Sequence, residues 1–352
     1  MAYPALQAVF PEEVFKKAEN QGFSKLRVQH FYRKFFYHSV SVTPETRGVN
    51  ARMAEFFHTH YTFPTLKIVY YKNDSEGNAK IGYETQDGHR IEAVILKRYN
   101  QISLCISTQI GCKMSCAFCA TGTQGYTRDL ETWELVEQVR LAQIHYMTEK
   151  HAFTHITIMG MGEPMENFEA MYQAFLNLTH PLVYSIAYRK ITVASCGFLP
   201  GLKKLAAKKL KPSLVLSLHA PNQALREKLL PISKIYPLDQ LLAFIKAYPL
   251  KPNKRISVQY LLLKGINDQP EHAAELATLM KGMPVKINFM RYNIVEGLPF
   301  EPVDEGVRSY FIDTLRQVGI SSIVRHSAGG EINAACGQLG YKKIQEALCV
   351  ES

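Results

Sequence analysis

Between residues 10 and 60 the apolar positions recur at helical spacing. Pro11-Glu12-Glu13 opens one helix with Val14 and Ala18 on a shared face, and a second spans 26–37. From 65 to 98 the pattern turns to alternation, with Leu66, Ile68 and Tyr70 on one side and the turn signal Asp87-Gly88 before the apolar run 91–96. That predicts a β-hairpin extension. From about residue 102 short strand-like runs (104–108, 155–159, 190–195, 214–219, 256–263 and 285–290) alternate with helical segments or turns leading to them. One intervening helix is well marked: Glu131 and Glu134 lie in its first turn, and Leu135, Val139, Ala142 and Tyr146 share a face. Six such units imply an α/β fold, a parallel sheet closing into a partial (β/α)6 barrel whose active site forms at the C-terminal ends of the strands. The expected domains are a helical one over 1–64, the hairpin extension over 65–98, the barrel over 99–325 and a C-terminal segment over 326–352.

The 352 residues carry 41 Lys plus Arg against 31 Asp plus Glu, a net charge of +10. Such an excess suits a polyanionic partner, because basic side chains on a phosphate backbone release counterions; charge kept for solubility is the alternative. Around the second helix, Lys25, Arg27, Arg33 and Lys34 interleave with Phe31, Tyr32, Phe35 and Tyr37. These could meet RNA through phosphate contacts and stacking. Otherwise the rings are core and the charges a solvated face. The N-terminus lacks a basic segment followed by an apolar run, and no stretch approaches membrane-spanning length, so a cytoplasmic protein is expected. Seven cysteines without regular pairing speak for thiol chemistry in a reducing compartment.

Three of them, Cys112, Cys116 and Cys119, stand at CxxxCxxC spacing with Phe118 before the last. Soft thiolates on one short loop can hold three irons of a [4Fe-4S] cluster and leave the fourth iron open. An open iron can be chelated by the amino and carboxylate groups of S-adenosylmethionine (SAM), which this spacing suggests by its resemblance to the radical SAM superfamily. A structural zinc site would want a second cysteine pair, and disulfides would suit a secreted chain. Downstream, Met159-Gly160-Met161-Gly162-Glu163-Pro164 follows the second strand: glycines let backbone approach a ligand, and Glu163 could accept from an ammonium. Ser195 and Ser217-Leu218-His219 end the next two strands, where hydroxyl and imidazole could hold a carboxylate or ribose. Cys336 lies among small residues that would leave its sulfur accessible, and Cys105 is a second candidate reactive thiol; for both, a buried structural cysteine is the alternative.

Taken in order, Cys105-Ile106-Ser107-Thr108-Gln109, the cysteine loop, Gly160 to Pro164, Ser217-Leu218-His219-Ala220-Pro221 and Ala335-Cys336-Gly337-Gln338-Leu339 resemble the RlmN/Cfr family of radical SAM adenine methyltransferases acting on 23S ribosomal RNA. The resemblance implies two SAM molecules per turnover, used in one site. The first methylates Cys336; the second, on the cluster, yields a radical that takes hydrogen from the S-methyl group, and the resulting methylene radical adds to an adenine ring carbon. Cys105 then resolves the protein–RNA crosslink by attack on the Cys336 sulfur, leaving a disulfide. Glu92, twenty residues before the cysteine loop, matches the proton acceptor, with Cys105 its rival for that role. Glu163, Pro164, Ser195, Ser217, Leu218, His219 and Asn293 are implied at SAM. The same resemblance implies C2 methylation of 23S ribosomal RNA and extends to transfer RNA, with C8 methylation giving antibiotic resistance as its other branch. A radical SAM enzyme on a non-RNA substrate is the more distant reading. A reducing electron donor such as flavodoxin and a monomer complete the expectation. Cys196 is an extra thiol where the family more often has Ser-Thr-Ser-Gly, and no role follows for it or for Cys349.

Overall fold

The computed structural model describes residues 3–38, 49–99, 101–146, 153–325 and 328–340. Three helices, α1 (Pro11–Asn20), α2 (Lys25–Tyr37) and α3 (Ala51–His60), form the N-terminal part. Pro11 sits at the start of α1, where a missing N–H costs no hydrogen bond, and the Asn50 side chain caps α3 by accepting from the Met53 amide. Most of the aromatic residues of α2 are core: Phe31, Tyr32, Phe35 and Phe36 are buried and Tyr37 is half-buried, and Phe31 stacks on Phe57 with ring centroids 3.9 Å apart. Lys25, Arg27 and Arg33 remain on the solvent face.

Strands β1 (Lys67–Asn73), β2 (Ala79–Glu84) and β3 (Arg90–Arg98) form an antiparallel meander, and β4 (Gln101–Ile106) pairs antiparallel with β3. The extension is therefore three strands joined to the barrel sheet, one more than a hairpin. A separate ribbon is made by β5 (Gln109–Gly111) and β6 (Tyr126–Asp129). It is followed by α4 (Thr132–Tyr146), β7 (His155–Ile158), α5 (Phe168–Thr179), β8 (Ile191–Ser195), α6 (Leu199–Ala207), β9 (Ser213–Ser217) and α7 (Gln223–Leu229). The remainder comprises α8 (Leu238–Ala247), β10 (Ile256–Leu262), α9 (Pro270–Met280), β11 (Val285–Arg291), α10 (Glu305–Gln317) and β12 (Ser322–Arg325). Strands β4, β7, β8, β9, β10 and β11 lie side by side and parallel, as the six strand-like runs imply. A seventh parallel strand, β12, extends the sheet beyond them.

Helix α4 departs from its amphipathic expectation, because it is covered on two sides. Leu135, Val139 and Ala142 face the sheet, while Glu137 on the other side is fully buried against the N-terminal part. Its carboxylate pairs with Arg140 (2.7 Å) and accepts from Gln7 (3.1 Å) and from the Thr65 hydroxyl (2.7 Å). Arg140 in turn lies over the Phe35 ring, 4.8 Å from its centroid. One charge pair thus joins the helical part to the barrel. Removing one partner leaves a buried charge uncompensated, so Glu137→Ala is expected to lower unfolding free energy by about 3–5 kcal/mol in urea melts; a loss under about 1 kcal/mol would show that the pair does not carry the junction.

Candidate active site

The cysteine loop is the connection between β5 and β6. The ribbon closes tightly behind it: the Cys112 amide donates to the Gly125 carbonyl at 2.7 Å, and a Cβ on Gly111 would lie 2.0 Å from that oxygen, so only glycine fits. Within the loop Ser115 takes a left-handed backbone (φ 49°), the Cys119 amide turns back to the Cys116 carbonyl (3.1 Å), and the Ala117 amide is held by the Leu229 carbonyl of α7 (3.0 Å). The three thiols are half-buried and line one open cavity at the C-terminal ends of the parallel strands. Burial pushes the Cys112 and Cys119 thiols up, and the neighbouring sulfurs add to it. A bound metal, which displaces the proton directly, is what would make them thiolates.

The wall opposite is built from strand ends. Glu163 is buried, and its two carboxylate oxygens accept from the Met165 amide (2.9 Å) and the Cys196 amide (2.8 Å), tying the ends of β7 and β8 together. Burial raises its pKa, and the amide donors oppose that rise. Pro164 lies beside it in the wall. The Ser195 hydroxyl accepts from the Gly197 (3.1 Å) and Phe198 (3.3 Å) amides, which turns the chain into α6, and Ser217 ends β9 in the same wall. His219 also has a left-handed backbone (φ 57°); its Nδ1 accepts from the Leu261 amide (2.9 Å), and Phe118 meets its ring edge-on at 4.9 Å. Nε2 of the neutral ring therefore carries the proton. Leu218 is buried but contributes no lining; its amide fixes the turn by donating to the Gln259 carbonyl (3.0 Å).

Cys336 is exposed and lines the cavity that the three cysteines surround. Its segment is held by backbone contacts: Asn293 Nδ2 donates to the Cys336 carbonyl (3.3 Å), the Ala120 amide to Gly337 (2.8 Å) and the Thr121 hydroxyl to Leu339 (2.7 Å). Asn293 thus holds the chain of Cys336 without itself lining the cavity. Glu92 and Cys105 do not line the cavity. Glu92 is fully buried on β3; its carboxylate accepts from Lys80 (2.9 Å), the Tyr70 hydroxyl and the Gly340 amide (2.9 Å), while Lys80 also donates to the Asn333 carbonyl (3.0 Å). In this conformation Glu92 is an anchor for the segment that carries Cys336. Cys105 is half-buried on β4, between Val94 of β3 and Thr157 of β7. Cys349 lies outside the described residues.

The radical SAM superfamily model matches residues 106–277. A crystal structure of a radical SAM methyltransferase from Sphaerobacter thermophilus superposes with a TM-score of 0.86 at 31% identity, covering 96% of this chain and 99% of that one. Among curated proteins, the probable dual-specificity RNA methyltransferase RlmN of Spiroplasma citri is 34% identical over 91% of this chain and 92% of its own length. That of Carboxydothermus hydrogenoformans is 34% identical, with 95% and 97% covered. This chain belongs to the RlmN family of radical SAM RNA methyltransferases.

RlmN family membership implies SAM and a [4Fe-4S] cluster, and the site fits both. The three loop thiols line one cavity and are the soft donors that an iron–sulfur cluster takes. Two buried polar atoms in the wall, Gln259 Nε2 and the Tyr292 hydroxyl, have no protein partner and are available to a polar ligand such as SAM. Neither was among the sequence candidates. A polar Gln259 inside the apolar run Val258-Gln259-Tyr260 was the available signal for one; Tyr292 carried none beyond its adjacency to Asn293.

Burial, reinforced by the Arg226 charge, lowers the His219 pKa from 6.5 to about 3. The unfolded chain therefore binds a proton that the folded chain refuses. This contribution is complete above pH 6.5 and is lost as pH falls toward 3. Between pH 7 and pH 5 the metal-free wild type is expected to lose roughly 2 kcal/mol more stability than His219→Gln. Parallel pH profiles of the two in denaturant melts would contradict this.

Proposed function

We propose that this chain methylates carbon 2 of an adenine in 23S ribosomal RNA and in transfer RNA, through an S-methyl group carried on Cys336, with two SAM molecules consumed per turnover. The observation that carries this reading is the exposed Cys336 sulfur in the wall of the cavity that the three loop cysteines surround. An ordinary methyl transfer would need no protein sulfur there. Adenine C2 is electron-poor and does not attack a sulfonium, whereas a carbon radical adds to it, so a cysteine that hands over the carbon in a radical step suits the substrate. The printed names of the relatives supply the RNA class, and the exposed basic residues of α2 offer a surface for its phosphates.

When bound, the cluster supplies the electron that cleaves SAM; the chain's own residues do the rest. Cys112, Cys116 and Cys119 would hold the cluster. Glu163 presents a buried carboxylate for the SAM ammonium, Ser195 and Ser217 offer hydroxyls, and neutral His219 offers an Nε2 proton without adding positive charge beside a sulfonium. Pro164 and Leu218 shape the turns that carry these groups, and Asn293 holds the chain of Cys336. Glu92 as proton acceptor and Cys105 as resolving thiol rest on the family likeness, since both stand outside the cavity lining. For Glu92 to take the ring proton, its contact with Gly340 must open. A target adenine would be extruded from its stack to reach the cavity. A monomer drawing electrons from a flavodoxin-type donor is the simplest working form.

Anaerobic incubation of the reconstituted enzyme with a reductant, methyl-deuterated SAM and ribosomal or transfer RNA, followed by nucleoside mass spectrometry, tests the reading. The expected product is 2-methyladenosine whose methyl carries two deuteriums. A three-deuterium methyl would exclude the Cys336 route, and 8-methyladenosine would exclude C2. Cys336→Ala is expected to keep full iron content and lose methylation by more than about 100-fold. Cys105→Ala should accumulate a covalent protein–RNA adduct on denaturing gels; absence of that adduct removes Cys105 from the resolving step.

A further inference from the structure

Arg226 is the largest fully buried side chain of the described residues. It belongs to α7, the helix whose Leu229 carbonyl receives the Ala117 amide. Its Nη1 donates to the Ser233 hydroxyl, and Nη2 donates to the carbonyls of Cys196 (2.7 Å) and Ser217 (3.2 Å) at the ends of β8 and β9. Its Nε has no partner. Gly197 makes room for it: a Cβ there would lie 3.2 Å from Nη2. Among the described residues no carboxylate forms an ion pair with this guanidinium, unlike Arg128 and Arg140, which each hold a buried glutamate. The sulfurs of Cys196 and of the loop's Cys116 are the groups whose negative charge, once carried, would reach it.

A cation removed from water and met only by neutral dipoles costs several kcal/mol unless an anion accompanies it. The cysteine loop supplies none while its thiols are protonated. Loaded with iron and sulfide it becomes anionic, and one-electron reduction adds a further negative charge without any proton moving. We propose that Arg226 is the buried counter-cation of the cluster held by Cys112, Cys116 and Cys119, and that it makes the cluster easier to reduce. Charge and low local dielectric near the metal are established levers on such potentials. The competing role is a neutral clamp that ties the ends of β8 and β9 through the Cys196 and Ser217 carbonyls. The two differ in what they need: a counter-cation needs the charge, and a clamp needs only the donors.

The inference rests on the cluster assignment, so the test reads iron as well as potential. Wild type, Arg226→Lys and Arg226→Met are reconstituted anaerobically with iron and sulfide, and iron content and the reduction midpoint are measured by EPR-monitored titration without SAM. Arg226→Met is expected to show a reduced fraction about tenfold lower at a fixed potential, a shift of about 59 mV to more negative values for a one-electron couple. Arg226→Lys is expected to stay close to wild type. Equal midpoints for Arg226→Met and wild type overturn the proposal. So does an equal shift, or an equal failure to fold, in both variants, because a loss indifferent to charge marks the clamp. Wild-type protein that takes up no iron overturns the cluster assignment together with the inference.

Discussion

Three half-buried thiols on one eight-residue loop must be kept apart and turned toward the same space. Left to itself such a loop would collapse on its apolar residues Met114 and Phe118. The structure prevents this mainly with backbone hydrogen bonds, which do not compete for the sulfurs. The ribbon of β5 and β6 closes one end, α7 holds the middle at Ala117, and the C-terminal segment takes the Ala120 amide. Met114 and Phe118 are packed into a small apolar cluster with Leu229, Leu230 and Leu261, away from the main core.

The same economy extends to the electrostatics. Glu163 is a buried carboxylate held by two amides, His219 is a neutral ring held by one, and Arg226 is a buried cation held by two carbonyls and a hydroxyl. Each is fixed mainly by backbone groups, so its place at the cavity is set by the fold. Cys336 is held in the same way, through its carbonyl and those of its neighbours, which leaves its sulfur exposed. Lys80, Glu92 and Tyr70 secure that segment to the strand extension. The extension is thereby the fixed point against which the Cys336 segment is placed.

Much of this was legible in the chain. Six strand-like runs became six parallel strands, and nine of the candidate residues, including Glu163, Ser195, Ser217, His219 and Cys336, line one cavity. The failures have physical causes. Strand β12 is a four-residue edge strand with Ile323 half-exposed, too short to show a period. Helix α4 carries polar Glu137 and Gln138 on a face that another part of the chain covers, which local amphipathicity cannot foresee. Glu92 breaks an otherwise buried strand, and sequence alone cannot separate a base, a solvated residue and an anchor. Arg226 reads as a surface helix residue in Leu225-Arg226-Glu227-Lys228; only the packed structure shows it inside.

Iron-57 Mössbauer spectroscopy of the anaerobically reconstituted protein, recorded with and without SAM, bears on the whole arrangement at once. The expected result is about four irons per chain, of which one, lacking a cysteine, changes its signal when SAM is added. Protein that binds zinc in place of iron, or a cluster in which SAM alters none of the irons, would contradict it.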